Sequence, residues 1–269
     1  MLSILKTIVV LAVFVVFAAS CSGGDTNQAV STSQCGDFIT YYTVEVISKI
    51  SHNKANFTQG LQYYNGKLYE STGLYGASSL QRIDVNTGLV ELIQTVDDSF
   101  FAEGITIVGS QIIQLTWREY TAFVYDLDTL TQEDSFSYST EGWGLTYDGE
   151  SLILSDGTST IYFNEPLSFE TKKTIVVTMD GNPVKNINEL EYVNGIIYGN
   201  IWQDDNIIAI CPQNGKVFEV IDASALYNFL EDRQYADVLN GIAYNNDTNT
   251  FYLTGKKWDT IFEVSFVVK

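Results

Sequence analysis

The chain has 269 residues, of which 45% are hydrophobic and 13% aromatic, so it can bury the core of one large domain. Its formal net charge at pH 7 is −19, which argues against a nucleic-acid partner because phosphate binding requires a basic surface. The acidic residues are spread along the chain rather than gathered in a tail. We therefore expect one self-repelling, monomeric globular domain behind a short leader.

The N-terminal segment contains one cation, an apolar run and a cysteine. Lys6 precedes the apolar residues 7–19, and small residues lead directly into Cys21. The run is short for a transmembrane helix, so residues 1–20 are predicted to be a signal peptide and Cys21 the lipidated residue of a bacterial lipoprotein. Residues 21–38 are predicted to be a flexible tether, which would leave an exported protein anchored by lipid to the cell envelope membrane. The alternative is an ordinary signal peptide with an incidental cysteine.

Few of the later residues could form a metal site or a nucleophilic triad. His52 is the only histidine, which excludes a histidine-rich zinc site and argues against a Ser–His–Asp triad. Cysteines at metal-binding spacing are absent from the sequence. Cys35 and Cys211 could pair in an oxidising compartment, and the sequence leaves open whether they do.

A four-residue pattern recurs five times along the chain. Its copies are Gly60-Leu61-Gln62-Tyr63, Gly104-Ile105-Thr106-Ile107, Gly144-Leu145-Thr146-Tyr147, Glu189-Leu190-Glu191-Tyr192 and Gly241-Ile242-Ala243-Tyr244. A turn signal such as Asn65-Gly66 follows each copy, and a second apolar segment follows the turn. Each repeat therefore indicates a meander of three or four short strands over about 40–50 residues, which is the period of a propeller blade.

The predicted fold is all-β, a five-bladed β-propeller over residues 39–269. Second strands are predicted over residues 67–72, 111–117, 151–155, 196–202 and 250–255. Helical periodicity is weak except over residues 223–230, which are predicted to form an insertion that accounts for the longest interval, the 52 residues between the fourth and fifth copies. An antiparallel sandwich is the alternative fold, but it would not explain the regular recurrence of the pattern.

Equivalent residues of successive blades meet at one end of a propeller, so the residues beside each copy of the pattern are candidates for a site. These residues are Gln59, Glu103, Trp143, Asn188 and Asn240. At the ends of the second strands lie Trp117, Trp202 and Lys256, whereas Trp258 lies apart. One carboxyl group among amides and indoles is typical of a pocket for a small polar ligand.

Glu103 is the candidate proton carrier of this pocket. It follows Phe100 and Phe101, so burial against aromatic rings is expected to raise its pKa and to suit it to proton transfer near neutral pH. The alternative is a hydrogen-bonded carboxylate with a structural role.

Ten short strings, in order along the predicted domain, match one protein family. They are Phe57-Thr58-Gln59-Gly60, residues 69–76, Phe101-Ala102-Glu103-Gly104, Leu115-Thr116-Trp117, residues 142–149, Ser155-Asp156-Gly157, residues 188–192, residues 200–203, residues 239–244 and Thr254-Gly255-Lys256. In these strings the chain resembles the plant and bacterial type of the glutamine cyclotransferase family. The strings cover nearly the whole domain, which makes the resemblance far more specific than any single motif.

The resemblance implies a five-bladed propeller and a reaction without metal or cofactor. The N-terminal glutamine of a peptide or protein substrate would close to pyroglutamate with release of ammonia. Glu103 would be the catalytic acid and base, and Gln59, Asn188 and Lys256 would bind the substrate amide and its developing oxyanion. The substrate-binding residues implied are Phe57, Gln59, Phe101, Trp117, Trp143, Gly144, Asn188, Trp202 and Lys256.

Two other functional interpretations use the same residues. A non-catalytic propeller on the cell surface could bind a peptide or a glycan in this pocket. A lactonase-like metal hydrolase would hold calcium with a ring of acids and asparagines, but only one acid lies in the predicted ring.

Overall fold

The computed structural model of the chain describes residues 35–269. The predicted signal peptide, the predicted lipidation site Cys21 and most of the predicted tether lie outside the described residues. Within residues 35–269, no helix is long and apolar enough to cross a membrane.

The described chain has an all-β fold, and most of its strands form four-stranded antiparallel units. The first strand along the chain is β1 (Thr40–Ser51). Unit 1 follows, with β2 (Thr58–Tyr64), β3 (Lys67–Thr72), β4 (Ser79–Asp84) and β5 (Val90–Thr95). Unit 2 contains β6 (Ala102–Val108), β7 (Gln111–Thr116), β8 (Thr121–Asp126) and β9 (Gln132–Ser137). Unit 3 contains β10 (Leu145–Tyr147), β11 (Leu152–Ser155), β12 (Thr160–Asn164) and β13 (Thr171–Val176).

The last two units form one continuous sheet. A small hairpin, β14 (Thr178–Met179) and β15 (Asn182–Pro183), precedes them. Unit 4 contains β16 (Ile187–Val193), β17 (Ile196–Ile201), β18 (Asn206–Ile210) and β19 (Val217–Asp222). Unit 5 contains β20 (Leu239–Asn245), β21 (Thr250–Gly255), β22 (Thr260–Val268) and β1. Because β1 also pairs in parallel with β19, the two units join into an eight-stranded sheet.

The first strands of the five units lie beside one another in a closed order. β2 contacts β6, β6 contacts β10, β10 contacts β16, β16 contacts β20, and β20 returns to β2. These strands are buried along most of their length, whereas the fourth strands β5 and β9 are mainly exposed. The sequences agree with these positions, since apart from Glu103 and Thr106 the buried strand β6 consists of small and apolar residues, whereas β9 reads as Gln-Glu-Asp-Ser-Phe-Ser.

The predicted turns and second strands are present. Asn65 and Gly66 have φ values of 48° and 77°, the two positive values that a two-residue type I′ hairpin requires. All five second strands lie within one residue of their predicted bounds. The predicted helical insertion at 223–230 is a short 3₁₀ helix over Ser224–Phe229, in which Leu226 is the only buried residue and no side chain caps the start.

Apolar clusters fill the spaces between neighbouring units. Between units 3 and 4, Ile161, Ile197 and Ile208 pack together and are almost completely buried. Between units 1 and 5, Leu68 and Ile261 do the same. Each such side chain contributes about 1.5–3 kcal/mol through burial, so the contacts between units carry much of the stability of the fold.

The N-terminal strand closes the fold through unit 5. β1 pairs antiparallel with β22 over most of its length, from Tyr42 opposite Val268 to Ser51 opposite Thr260. Just before β1, Cys35 forms a disulfide with Cys211, and their Cα atoms are 5.7 Å apart. The disulfide therefore ties the start of the described chain to the end of β18, which answers the question that the sequence left open.

His52 strengthens the same closure. Its Nδ1 donates to the carbonyl oxygen of Trp258 at 2.8 Å, and its Nε2 lies 3.0 Å from a carboxylate oxygen of Glu70, which is completely buried. Burial opposes the charged imidazolium, but Glu70 outweighs it and raises the pKa of His52. Glu70 also accepts from Asn56 and Thr58, so the network links the segment before β2 to the loop after β21.

Candidate active site

A cavity of 380 Å³ opens at the end of the units where the first strands begin and the second strands end. Its lining residues are Phe57, Gln59, Phe101, Glu103, Trp117, Arg118, Glu141, Trp143, Asn188, Trp202 and Lys256. The structure thus brings together every predicted catalytic and substrate-binding residue except Gly144. A larger cavity of 790 Å³ lies beside Asn56 and Gln81, and none of the predicted site residues lines it.

β-Bulges position the side chains that the first strands contribute. In four units the register between the first and second strands shifts at the cavity end, and these shifts enclose Gln59, Glu103, Asn188 and Asn240. A bulge bends its strand and re-aims a side chain, so it can turn a polar group out of the ladder and into the cavity. Asn240 is the exception, since it is buried behind Gln59 and donates to its Oε1 at 3.2 Å. The repeat pattern predicted this ring of residues but not the bulges.

The ends of the second strands supply another part of the lining. β7 ends at Thr116, β17 ends at Ile201 and β21 ends at Gly255, and the next residues are Trp117, Trp202 and Lys256 respectively. Trp258 lies outside the cavity in the apolar core, where its indole nitrogen donates to the carbonyl oxygen of Asp237 at 2.9 Å.

Glu103 carries the only buried carboxyl group among the lining residues, and it is 5% exposed. Burial raises its pKa well above the usual value; Lys256 opposes this rise, and the carboxylates of Glu119 and Glu141 add to it. Among the described residues, no side chain or backbone group donates a hydrogen bond to its carboxyl group. The group is therefore available to exchange a proton with a ligand in the cavity.

Lys256 places a second buried titratable group in the cavity. It is 4% exposed, and burial lowers its pKa while Glu103 acts against that shift. Its Nζ lies 4.7 Å from the ring centroid of Phe57, which is close enough for a cation–π contact. A buried amine and a buried carboxyl group thus face the same small space without forming a direct ion pair in the described structure.

Aromatic rings form two edge-to-face groups in the wall. Phe101 lies between Phe57 and Trp117, with ring centroids 6.2 and 5.7 Å away. Trp143 and Trp202 form the second group, with centroids 5.9 Å apart. Such walls exclude water and strengthen the electrostatic interactions of the polar groups between them.

Two amide side chains offer hydrogen bonds to a ligand. Gln59 accepts from Asn240 through its Oε1, which leaves its Nε2 to donate into the cavity. Asn188 is 2% exposed, and no group within residues 35–269 donates a hydrogen bond to its Oδ1. Buried polar atoms are usually hydrogen-bonded, so this oxygen is suited to accept a hydrogen bond from a ligand in the cavity.

Gly144 does not line the cavity, but it allows the cavity wall to form. A Cβ atom at this position would collide with the carbonyl oxygen of Asn188. Gly157 has a similar role behind Trp143, because it has a φ of 77° and its Cβ would lie 2.6 Å from the indole ring. Both glycines therefore permit the close approach that holds Asn188 and Trp143 in place.

Two lining residues, Arg118 and Glu141, were not predicted from the sequence. The only signal for them is adjacency, since Arg118 follows Trp117 directly and Glu141 precedes Trp143 by two residues. Glu141 accepts from the indole nitrogens of both tryptophans, at 2.9 and 3.1 Å. That contact needs both loops in place, so it could not be seen in the sequence.

Candidate metal ligands are scarce in this part of the protein. Among residues 35–269, no group of three or more His, Cys, Asp or Glu side chains is arranged to hold a metal ion.

A cavity walled by aromatic rings, with a buried carboxyl group, an amine and amides inside it, is typical of an enzyme that binds a small polar ligand. Comparison with known families is more specific. Residues 14–266 match the family model for glutamine cyclotransferase. The chain belongs to the glutamine cyclotransferase family.

Similar proteins include one plant relative and one bacterial structure. The chain is 39% identical over 225 residues to the glutaminyl-peptide cyclotransferase of Arabidopsis thaliana, a match that covers 82% of this chain and 70% of that protein. The crystal structure of Myxococcus xanthus glutaminyl cyclase is 35% identical and superposes with a TM-score of 0.80. That match covers 86% of this chain and 99% of the other.

Proposed function

We propose that this protein is a glutaminyl-peptide cyclotransferase in which Glu103 carries the protons. Family membership supports the reaction, which converts the N-terminal glutamine of a peptide or protein to pyroglutamate and releases ammonia. The observation that carries the role of Glu103 is its buried, unpaired carboxyl group with a raised pKa beside the amides and the amine. The reaction is an acyl transfer and needs no metal ion or cofactor in this proposal.

The proposed mechanism begins with the substrate amine. Its neutral nitrogen attacks the γ-carbonyl carbon, a C–N bond forms, and the carbonyl oxygen becomes an oxyanion. The attacking nitrogen passes a proton to Glu103, and Glu103 returns it to the departing NH₂ group. The original amide C–N bond then breaks and ammonia leaves. A carboxyl group with a raised pKa suits both transfers, because its proton affinity lies near that of its partners.

The other lining residues bind and orient the substrate. Lys256 and Gln59 donate to the developing oxyanion, and Asn188 can donate through Nδ2 while its unpartnered Oδ1 accepts from the substrate nitrogen. The aromatic wall around Trp143 holds the short side chain in the conformation that closes. Fixing that geometry lowers the entropic part of the barrier.

The five units are proposed to be the blades of a five-bladed propeller over residues 39–269. The cyclic order of contacts among β2, β6, β10, β16 and β20 supports this architecture. It explains why one residue from each of several units reaches a single cavity. The catalytic domain is proposed to act as a monomer.

Export and lipid anchoring are also proposed. The predicted leader supports export, and the Cys35–Cys211 disulfide is the kind of bond that persists in an oxidising compartment. Cell fractionation of the protein and of a Cys21→Ser variant tests the anchor. Recovery of both in the same soluble fraction would contradict it.

The function is tested by ammonia release from a dipeptide that begins with glutamine. We expect the domain starting at residue 22 to release ammonia at the same rate with and without a chelator. A dipeptide that begins with asparagine is the matched control, since its side chain is too short to close the same ring. A folded protein that releases no ammonia from any glutamine-initiated peptide would favour the peptide-binding or glycan-binding alternative.

A further inference from the structure

The proposed chemistry leaves Arg118 and Glu141 without a role. Both side chains line the outer part of the cavity, and they are 56% and 33% exposed respectively. The glutamine side chain would occupy the inner part, beside Glu103. The peptide bond that follows the glutamine would then lie toward the outer part of the cavity, which Arg118 and Glu141 line together with the exposed Trp202.

Glu141 holds three side chains with one carboxylate. Its Oε2 accepts from the indole nitrogens of Trp117 and Trp143, and its Oε1 accepts from Nε of Arg118 at 2.9 Å. The two tryptophans belong to different units, so Glu141 fixes the distance between two parts of the cavity wall. We call Arg118 and Glu141 together the mouth pair.

Arg118 has two fixed contacts, and its terminal nitrogens remain available. Its guanidinium carbon lies 3.8 Å from the ring centroid of Trp117, so the group stacks on the indole. Only Nε has an acceptor, and among the described residues no group accepts from its terminal nitrogens. A guanidinium in this state is already positioned, and binding a ligand would cost it little conformational entropy.

Charge points to the kind of group that Arg118 would bind. It is the only exposed cation among the residues that line the cavity, because Lys256 is buried. The protein as a whole is strongly acidic, and Glu119 lies next to Arg118 in the chain. An anionic group near the mouth would be repelled without Arg118, and a carboxylate matches the planar donors of its guanidinium.

We propose that Arg118, positioned by Glu141, forms a subsite for a carboxylate on the residue that follows the substrate glutamine. The C-terminal carboxylate of a glutamine-initiated dipeptide is the simplest such group. This inference rests on the proposed function, which supplies the orientation of the peptide. The mouth pair thus makes short glutamine peptides with a free carboxylate the preferred substrates.

The test compares two substrates that differ only in this charge. We measure kcat and KM for glutaminyl-alanine and for glutaminyl-alanine amide with the wild type and with Arg118→Gln. The wild type is expected to prefer the free acid. Arg118→Gln is expected to lose about tenfold in kcat/KM for the acid, mostly through KM, which is the worth of one charge-assisted hydrogen bond. The loss for the amide is expected to be smaller, so in Arg118→Gln the kcat/KM values for the acid and the amide become similar.

Arg233→Gln is the matched control. Arg233 is also exposed and also lies over an aromatic ring, that of Tyr227, but it does not line the cavity. Arg233→Gln changes the net charge by the same amount as Arg118→Gln but leaves the cavity lining intact. The preference between the two substrates should therefore be unchanged. A preference that survives in Arg118→Gln, or that falls equally in Arg233→Gln, would overturn the proposal.

The positioning role of Glu141 is tested with Glu141→Gln, and a second variant serves as the control for the lost charge. In Glu141→Gln the new amide nitrogen must face either Arg118 or the two indoles, so one set of hydrogen bonds is lost. We expect a changed tryptophan emission spectrum and a weaker preference for the acid. Glu150→Gln removes one exposed carboxylate that does not line the cavity, and it should change neither the emission spectrum nor the preference. Equal effects of the two variants would contradict a positioning role.

Failure of the subsite is distinguishable from failure of the proposed function. An active wild type without a preference for the acid would leave the cyclotransferase activity and reject the subsite. A folded wild type that releases no ammonia from either dipeptide would reject the activity. In that case calorimetric titration measures the dissociation constants of the same two dipeptides. Equal constants would reject the subsite as well.

Discussion

Glu103 and Glu189 lie one position apart in the repeat, on first strands of different units, and they are 5% and 1% exposed. Burial raises the pKa of both well above the usual value. Their surroundings differ. Glu189 accepts from the backbone nitrogens of Leu61 at 3.1 Å and Ile242 at 2.8 Å, whereas Glu103 has no such donor among the described residues.

The difference separates a structural carboxyl group from a reactive one. Glu189 stands where the other four repeats have glycine, and it reaches the first strands of units 1 and 5. In unit 1 the glycine allows close contact instead, since a Cβ at Gly60 would lie 2.6 Å from the backbone nitrogen of Ile105. Burial and a raised pKa are shared by both glutamates, so the free hydrogen-bonding capacity of Glu103 is what marks the candidate catalytic group.

Replacing Glu103 with glutamine should give the largest effect. We expect turnover to fall by about 10²–10⁴-fold, because the amide cannot relay a proton from the amine to the leaving group. The thermal unfolding midpoint should stay at or above that of the wild type, since a neutral side chain replaces a buried acid without partners. Ammonia release and thermal unfolding measure the two quantities. Turnover near the wild-type rate would remove Glu103 as the proton carrier.

Replacing Glu189 with glutamine should have the opposite effects, a lower unfolding midpoint with turnover retained. The new NH₂ group would face a backbone N–H, so one amide of Leu61 or Ile242 would lose its acceptor at a cost of about 1–3 kcal/mol. At about 2–4 °C per kcal/mol, the unfolding midpoint should fall by several degrees. Turnover per folded molecule, measured well below the midpoint, should remain. A stable Glu189→Gln protein without turnover would break the comparison.

The sequence could predict the elements and most of the candidate site because both depend on local patterns. The repeat and the turn signals predicted the five second strands to within one residue, and the ends of those strands pointed to Trp117 and Lys256. The structure places these residues in one cavity with Glu103. Their proximity follows from the recurrence of one strand position in successive units.

The remaining features depend on contacts between distant residues. The Glu189 carboxyl group bonds to strands more than a hundred residues before it and some fifty residues after it in the chain. The disulfide joins residues 176 positions apart. The bridge from Glu141 to two indoles needs the correct distance between two loops. None of these contacts follows from spacing or composition, because each is fixed only when the units are assembled.

Glu191 gives the smallest predicted effect and extends the comparison to pH. It lies two residues after Glu189, and burial raises its pKa to about 8, while the hydrogen bond from the backbone nitrogen of Tyr244 acts against this rise. The folded state therefore keeps a proton that the unfolded chain loses above its usual pKa of 4.5. This contribution to stability is fully present below about pH 4.5 and is lost as the pH rises through about 8.

We expect the unfolding midpoint of the wild type to fall by a few degrees between about pH 5.5 and about pH 8.5. Glu191→Gln should show a shallower decline, because its amide resembles the neutral acid at every pH. The pKa of His52 is also raised, so its contribution falls in the same direction and should persist in the variant. The pKa values of Asp84 and Asp222 are lowered to about 2, which keeps them ionised across this range. An identical decline in the two proteins would contradict this prediction. It would show that Glu191 is ionised in the folded state, with the pKa of a surface residue, and contributes nothing to the pH dependence.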